Sequence, residues 1–173
     1  MMSAERIGAV PFAPSLLLLD FRSLKVLHRC LGVVHPEEGC ALLIGQRGVT
    51  DAPWRLTTIW PCCNVWQDEG SRAQNSSARR HRFAIDPLEQ MAAQRWARTR
   101  SFQMLGVAHS HPDTAAEPSL RDRRWGERER LMLIRSGGGE LRGWWMGRHR
   151  EIHPITIGIT NTQNHAEAPG SDG

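Results

Sequence analysis

No apolar run in this chain of 173 residues is long enough to cross a bilayer. The most continuous, Leu16 to Leu19, falls far short of the roughly 20 residues a spanning helix needs. The start of the chain has no basic region followed by an apolar stretch of signal length, so a cytoplasmic protein is expected. Cys30, Cys40, Cys62 and Cys63 include no Cys-x-x-Cys pair, which speaks against a structural zinc knuckle, and adjacent Cys62 and Cys63 do not readily bridge. Reduced thiols fit the same compartment. Lysine is nearly absent: Lys25 stands alone, and arginine supplies the rest of the 22 basic side chains. The net charge of +4 is mixed along the chain. No basic stripe interleaved with aromatics, as single-strand binding uses, is present. The basic balance permits acidic partners but points to neither nucleic acid nor membrane. There is no internal repeat, and the length suits one domain, placed at residues 14–160 with flexible ends at 1–13 and 161–173.

What is present reads as strands interleaved with helices. Leu16–Leu19 suits a first strand, and Leu24, Val26, Leu27 and Leu31 suit a helix packed on one side. Gly39 to Gly45 reads as a buried strand closed by glycine, and Trp54–Trp60 as the next. Residues 67–80 are polar throughout and read as a mobile loop. His81–Ile85 returns to strand character. Asp86-Pro87-Leu88-Glu89 is a clear helix start, with Asp86 as N-cap and Pro87 at N1. Leu88, Met91, Ala92 and Trp96 of that helix are expected to face a sheet. Met104–Ala108, Arg130–Ile134, Leu141–Met146 and Ile152–Ile159 read as further strands, with a hairpin turn at Ser136–Gly139. Of Trp144 and Trp145, on opposite faces, one is expected in the core and the other lining a surface. The pattern is a single α/β or α+β domain around a mixed sheet.

The densest chemistry lies in fourteen residues, His109-Ser110-His111-Pro112-Asp113-Thr114-Ala115-Ala116-Glu117-Pro118-Ser119-Leu120-Arg121-Asp122. His109 and His111 end a buried strand and share a face. Ser119 and Asp122 sit one turn apart at a helix start. Two imidazoles and a carboxylate leave the fourth position of a tetrahedral zinc open, as in catalytic sites. Each part has an ordinary reading: a polar strand face, and a capping box in which Asp122 serves backbone N–H groups. Their joint occurrence favours the metal. Asp113 reads first as a turn residue. A hydrolytic zinc site also needs a base, and Glu37 and Glu38 are the upstream candidates.

His109-x-His111-x7-Ser119-x2-Asp122 resembles the signature of the JAMM, or MPN-plus, metallopeptidases. Pro36-Glu37-Glu38-Gly39-Cys40-Ala41-Leu42-Leu43-Ile44-Gly45 resembles the upstream motif of their prokaryotic stand-alone members, and the likeness runs from about Leu16 to Ile157. The resemblance implies that His109, His111 and Asp122 bind one Zn2+ with a water in the fourth position. It implies that Glu38, rather than Glu37, acts as general base and then general acid, and that Ser119 hydrogen-bonds the oxyanion. The implied fold is a mixed curved sheet flanked by helices in a cytidine-deaminase-like sandwich. The implied reaction is hydrolysis of an amide or isopeptide bond after the C-terminal glycine of a ubiquitin-like or β-grasp sulfur-carrier protein.

The chain departs from the pattern at Ala41, where members usually carry glycine, and in the length of 67–80. Cys40 shares a strand face with Glu38, although free cysteines are mostly packing residues. Trp66 stands beside the polar loop with no assigned role. A non-catalytic scaffold of the same fold is the competing reading, opposed by the full set of five site residues. A zinc deaminase is a weaker third, since such enzymes use the Cys-x-x-Cys pair missing here.

Overall fold

The computed structural model describes residues 13–67 and 76–161. The flexible ends expected beyond these limits, and positions 68–75 of the expected loop, lie outside the described residues. The elements run β1 (Leu16–Asp20), α1 (Phe21–Gly32), β2 (Cys40–Gln46), β3 (Trp54–Cys62), α2 (Ser76–Arg79), α3 (Pro87–Thr99), β4 (Gln103–His111), α4 (Leu120–Trp125), β5 (Arg130–Ser136), β6 (Leu141–Met146) and β7 (Ile152–Thr160). None of the described helices is long and apolar enough to cross a membrane.

The strands pair in the order β1-β3-β2-β4-β5-β6-β7, and β7 returns to β1. The mixed sheet therefore closes into a barrel, where the sequence reading has a mixed curved sheet flanked by helices in a sandwich. Closure runs through β1, which pairs in parallel with β7 over five residues and with β3 over only two. Cumulative strand twist brings the two edges together, and no local sequence pattern encodes that meeting.

One face of all seven strands converges on α1. Its Leu27 and Leu31 join Leu17, Leu43, Leu105, Leu133, Trp145 and Ile155 in the main core. Asp20 caps α1 by accepting the Ser23 N–H at 2.6 Å. Val26, expected in the apolar stripe, is exposed. The other face carries two smaller clusters. Ala93 and Ala97 of α3 pack on Leu42 and Ile44 of β2. Met132, Ile134, Trp144 and Met146 enclose Ala116. β2 is buried on both faces because a helix covers each.

Several local readings change. Ser76–Arg79 is a helical turn inside the expected loop. Residues 81–85 form no strand; the Asn64 side chain takes the Arg82 carbonyl and the Ala84 N–H that a neighbouring strand would otherwise satisfy. On α3, Leu88 and Met91 are exposed while Ala93 and Ala97 are buried. The two alanines, one turn apart, bring the helix close to the sheet. The Asp86 cap holds, with its carboxylate accepting the Leu88 N–H at 2.8 Å.

Trp144 and Trp145 are both buried, against the expectation of one surface residue. Trp145 meets Trp54 edge-on in the main core. Trp144 donates its indole N–H to the fully buried Ala116 carbonyl at 3.0 Å and so anchors the loop between His111 and Ser119. Trp144→Phe keeps most of the packing and leaves that carbonyl unpaired. It is expected to lower stability by about 1–3 kcal/mol, read as a lower urea midpoint at unchanged slope.

Candidate metal centre

β4 delivers two candidate ligands because strand alternation puts His109 and His111 on one face and Ser110 on the other. Their Nε2 atoms lie 3.1 Å apart. Asp122, from the first turn of α4, places Oδ1 3.2 Å from His109 Nε2 and Oδ2 3.4 Å from His111 Nε2. The three residues are the group of His, Cys, Asp and Glu side chains that meets the spacing of a metal site among the described residues.

The surroundings orient each donor. His111 Nδ1 lies 3.1 Å from the Ala115 carbonyl, a contact that places the proton on Nδ1 and leaves the Nε2 lone pair facing inward. The Phe83 ring stacks on His109 with centroids 4.6 Å apart. His109 Nδ1 is buried with no hydrogen-bond partner among the described residues. Burial pushes the His109 pKa down, which favours the neutral ring that a metal requires. Burial also opposes charge on His111, but its hydrogen bonds to Asp122 and Ala115 raise its pKa. Burial works against the Asp122 carboxylate too, yet the imidazoles and Ser119 outweigh it and hold its pKa well below the usual range. Two inward Nε2 atoms and an ionised carboxylate are the donor chemistry of a zinc site with an open position.

Ser119 and Asp122 form the capping box as well. Asp122 Oδ2 accepts from the Ser119 N–H at 2.8 Å and from the Ser119 hydroxyl at 2.6 Å, and the Asp122 N–H donates to Ser119 Oγ at 3.1 Å. The capping and metal readings of Asp122, opposed in the sequence, coexist on one carboxylate. The Ser119 hydroxyl proton is committed to Asp122 in this arrangement.

Glu38 lies just before β2 and is 5 % exposed. It lines a cavity of about 550 Å³ together with His109, Ser119 and Asp122. Gly39 ties it to the ligand strand: its N–H donates to Ser110 Oγ at 2.8 Å, and its carbonyl accepts the Ser110 N–H at 3.0 Å. A side chain at position 39 would collide with the backbone at the end of α1, since a Cβ would lie 2.8 Å from Leu31 Cα. The Glu38 N–H donates to the Arg79 carbonyl at 2.7 Å. Burial pushes the Glu38 carboxyl up to about 8, with His111 pulling it down and Asp122 pushing it up. Glu37 turns away, 3.7 Å from Arg79.

The remaining candidates fall outside the ligand set. The Cys40 thiol is buried, contacts the Cys62 carbonyl at 3.7 Å, and is pushed by burial up to about 12. All four cysteines are free. Asp113 is exposed and paired with Arg80 at 3.1 Å. Trp66 lines the cavity with the Arg82 and Arg121 guanidinium groups each 5.5 Å from its ring. Sequence reading passes over Phe83, Ser110 and Trp144 as site residues. Their roles depend on cross-strand and loop contacts that leave no local motif.

Residues 23–147 match the family described as prokaryotic homologs of the JAB domain. The chain belongs to this family. The match agrees with the JAMM/MPN resemblance read from the two motifs. A solution structure of a protein from Desulfitobacterium hafniense has a similar fold, with a TM-score of 0.68 at 23% identity over 87% of this chain and 97% of that one. A second, from Salinibacter ruber, gives 0.58 at 26% identity over 84% and 92%. Comparison with curated proteins gives no match.

Two outcomes test the centre of this JAB-domain protein. Purified protein should hold about one zinc per chain by elemental analysis, and His109→Ala or Asp122→Ala should remove most of it. In chelator-treated protein, Glu38 has a folded pKa raised above its unfolded value. Its contribution to stability is therefore present at low pH and lost as the pH rises through about 8. Glu38→Gln should raise the melting temperature of metal-free protein at pH 8 and do so much less at pH 5. An equal gain at both pH values would contradict the buried-carboxyl assignment.

Proposed function

We propose that this protein is a zinc-dependent metallopeptidase that hydrolyses an amide or isopeptide bond after the C-terminal glycine of a ubiquitin-like or sulfur-carrier protein. One observation carries the reading: His109, His111 and Asp122 bring their donor atoms together, and His109 and Asp122 of that group line one cavity with the buried Glu38. His109, His111 and Asp122 would hold a zinc ion, which would supply Lewis acidity to a substrate carbonyl and to water.

Glu38 has the character of a proton carrier. Burial raises its proton affinity above that of an ordinary carboxyl, so that, ionised beside a bound cation, it would take a proton from water and return it to a leaving amine. The two hydrogen bonds between Gly39 and Ser110 hold it beside His109 and His111. Ser119 lines the same cavity. Once its proton turns from Asp122 into the cavity, it offers one donor to a developing oxyanion. Removing one such donor costs about 10²–10³-fold in kcat.

The cavity supports a chain end as substrate. Its volume of about 550 Å³ lies in the usual range for a bound ligand. Val107, Leu131 and Met132 give it apolar walls, and Arg82, Arg121 and Arg130 add cationic groups. A non-catalytic scaffold would bind the same partners without needing Glu38.

Zinc-loaded Glu38→Gln should retain its metal and lose at least about 100-fold in turnover of a ubiquitin-like protein bearing a C-terminal amide adduct. Undiminished turnover would remove Glu38 from the mechanism. Tight binding of such carriers by wild type, with no cleavage of any, would favour the scaffold.

A further inference from the structure

Asn64 follows β3 and stands between the buried glutamate and the segment over the ligands. Its side chain makes four hydrogen bonds. Nδ2 donates to the Glu38 carbonyl at 3.1 Å and to the Arg82 carbonyl at 2.9 Å. Oδ1 accepts the Trp66 N–H at 3.0 Å and the Ala84 N–H at 3.2 Å. A primary amide has two N–H groups and two acceptor lone pairs, so its capacity is full.

The four partners come from three separate places. Glu38 is the proton carrier, Trp66 lines the cavity, and Arg82 and Ala84 flank Phe83, whose ring covers His109. Backbone pairing in this region is sparse. The Val65 N–H donates to the Ala84 carbonyl at 2.9 Å, and residues 82–85 carry no strand assignment. One side chain thus replaces a strand pairing at the point where the barrel meets the site.

We propose that Asn64 is a positioning residue of the hydrolytic site. It ties the backbone of Glu38 to the Arg82–Ala84 segment and so holds Phe83 against His109. This inference rests on the hydrolase reading above. No other common side chain supplies the same four bonds at this reach. Aspartate keeps the two acceptor bonds, loses both donors, and turns an oxygen toward two carbonyls. Alanine loses all four.

The test compares full-length, zinc-loaded wild type, Asn64→Asp, Asn64→Ala and Leu56→Ala. Leu56 is a buried residue of the main core and serves as a stability control. Zinc content, melting temperature and hydrogen exchange of the Gly39 amide, the N–H of the peptide group whose carbonyl Asn64 holds, are measured with steady-state cleavage of a ubiquitin-like protein carrying a C-terminal fluorogenic amide. Both Asn64 variants should keep about one zinc per chain. Their kcat should fall roughly 100-fold, as expected for a small misplacement of a reacting group, with KM nearly unchanged and faster exchange at Gly39. Leu56→Ala should lose melting temperature without that loss of kcat. Unchanged exchange at Gly39 in both Asn64 variants would overturn the proposal. So would a kcat loss that follows melting temperature across all three variants. If wild type leaves the probe intact, the hydrolase reading fails by itself, and exchange at Gly39 still decides whether Asn64 holds the Glu38 carbonyl.

Discussion

The register between β2 and β4 is the constraint on which the site depends. Cys40 pairs with His109, and the next step outward is the double hydrogen bond between Gly39 and Ser110. That step joins the residue after Glu38 to the residue between the two imidazoles. A slip of one residue would turn His109 and His111 to the opposite face and bring Ser110 to the metal side. The registry is secured from both faces. Ala41 and Leu43 enter the main core with α1, while Leu42 and Ile44 pack under α3. The irregularities in β2 pairing fall at Leu43–Gly45, away from the site. The site end of the seam is therefore regular, and the chemistry is built on strands rather than on a loop.

The third candidate ligand arrives by a different route. Asp122 belongs to a helix of only six residues, too short to be stable alone. Its place is set by the capping box with Ser119 and by the Trp144 anchor on Ala116 upstream. The capping box orients the carboxylate without using up its acceptor capacity. A carboxylate has about four lone-pair sites, so it can serve the Ser119 hydroxyl and N–H while its oxygens lie near both histidines. Folding of this short helix and assembly of the ligand set are thus one event. Metal binding should stabilise the α4 segment along with the site.

Much of the site was legible because it is local. His-x-His on one strand face, Ser-x-x-Asp at a helix start and the Pro-Glu-Glu-Gly entry to β2 are each encoded within a few residues. The fold was legible element by element for the same reason, from β2 and β4 to the Asp86 cap. What the sequence could not disclose depends on distant partners. β7 meeting β1 is a property of accumulated twist. His81–Ile85 has strand-like composition, but Asn64 occupies bonds that a neighbouring strand would make. Leu88 and Met91 look like a buried stripe, yet the close approach of Ala93 and Ala97 to β2 turns the larger side chains outward. Trp144 gave no hint that its indole holds the metal loop, because Ala116 lies on another element.

The arrangement around Glu38 also bears on enzyme versus scaffold. A buried carboxyl with a pKa raised to about 8 disfavours the folded state at neutral pH in metal-free protein. His109 Nδ1, buried without a partner among the described residues, adds a cost of about 1–3 kcal/mol if it carries a proton. An interaction module gains nothing from either, because both groups are buried and away from an exposed docking surface. A hydrolytic centre gives both a use: the carboxyl for moving a proton, and the neutral imidazole for presenting Nε2 to a metal. Local departures from good packing and polar satisfaction are expected to concentrate where function requires them. Two of them, the His109 Nδ1 and the raised Glu38 carboxyl, lie together at the site, while the other buried unpaired side-chain atom among the described residues, Arg47 Nε, follows the far end of β2.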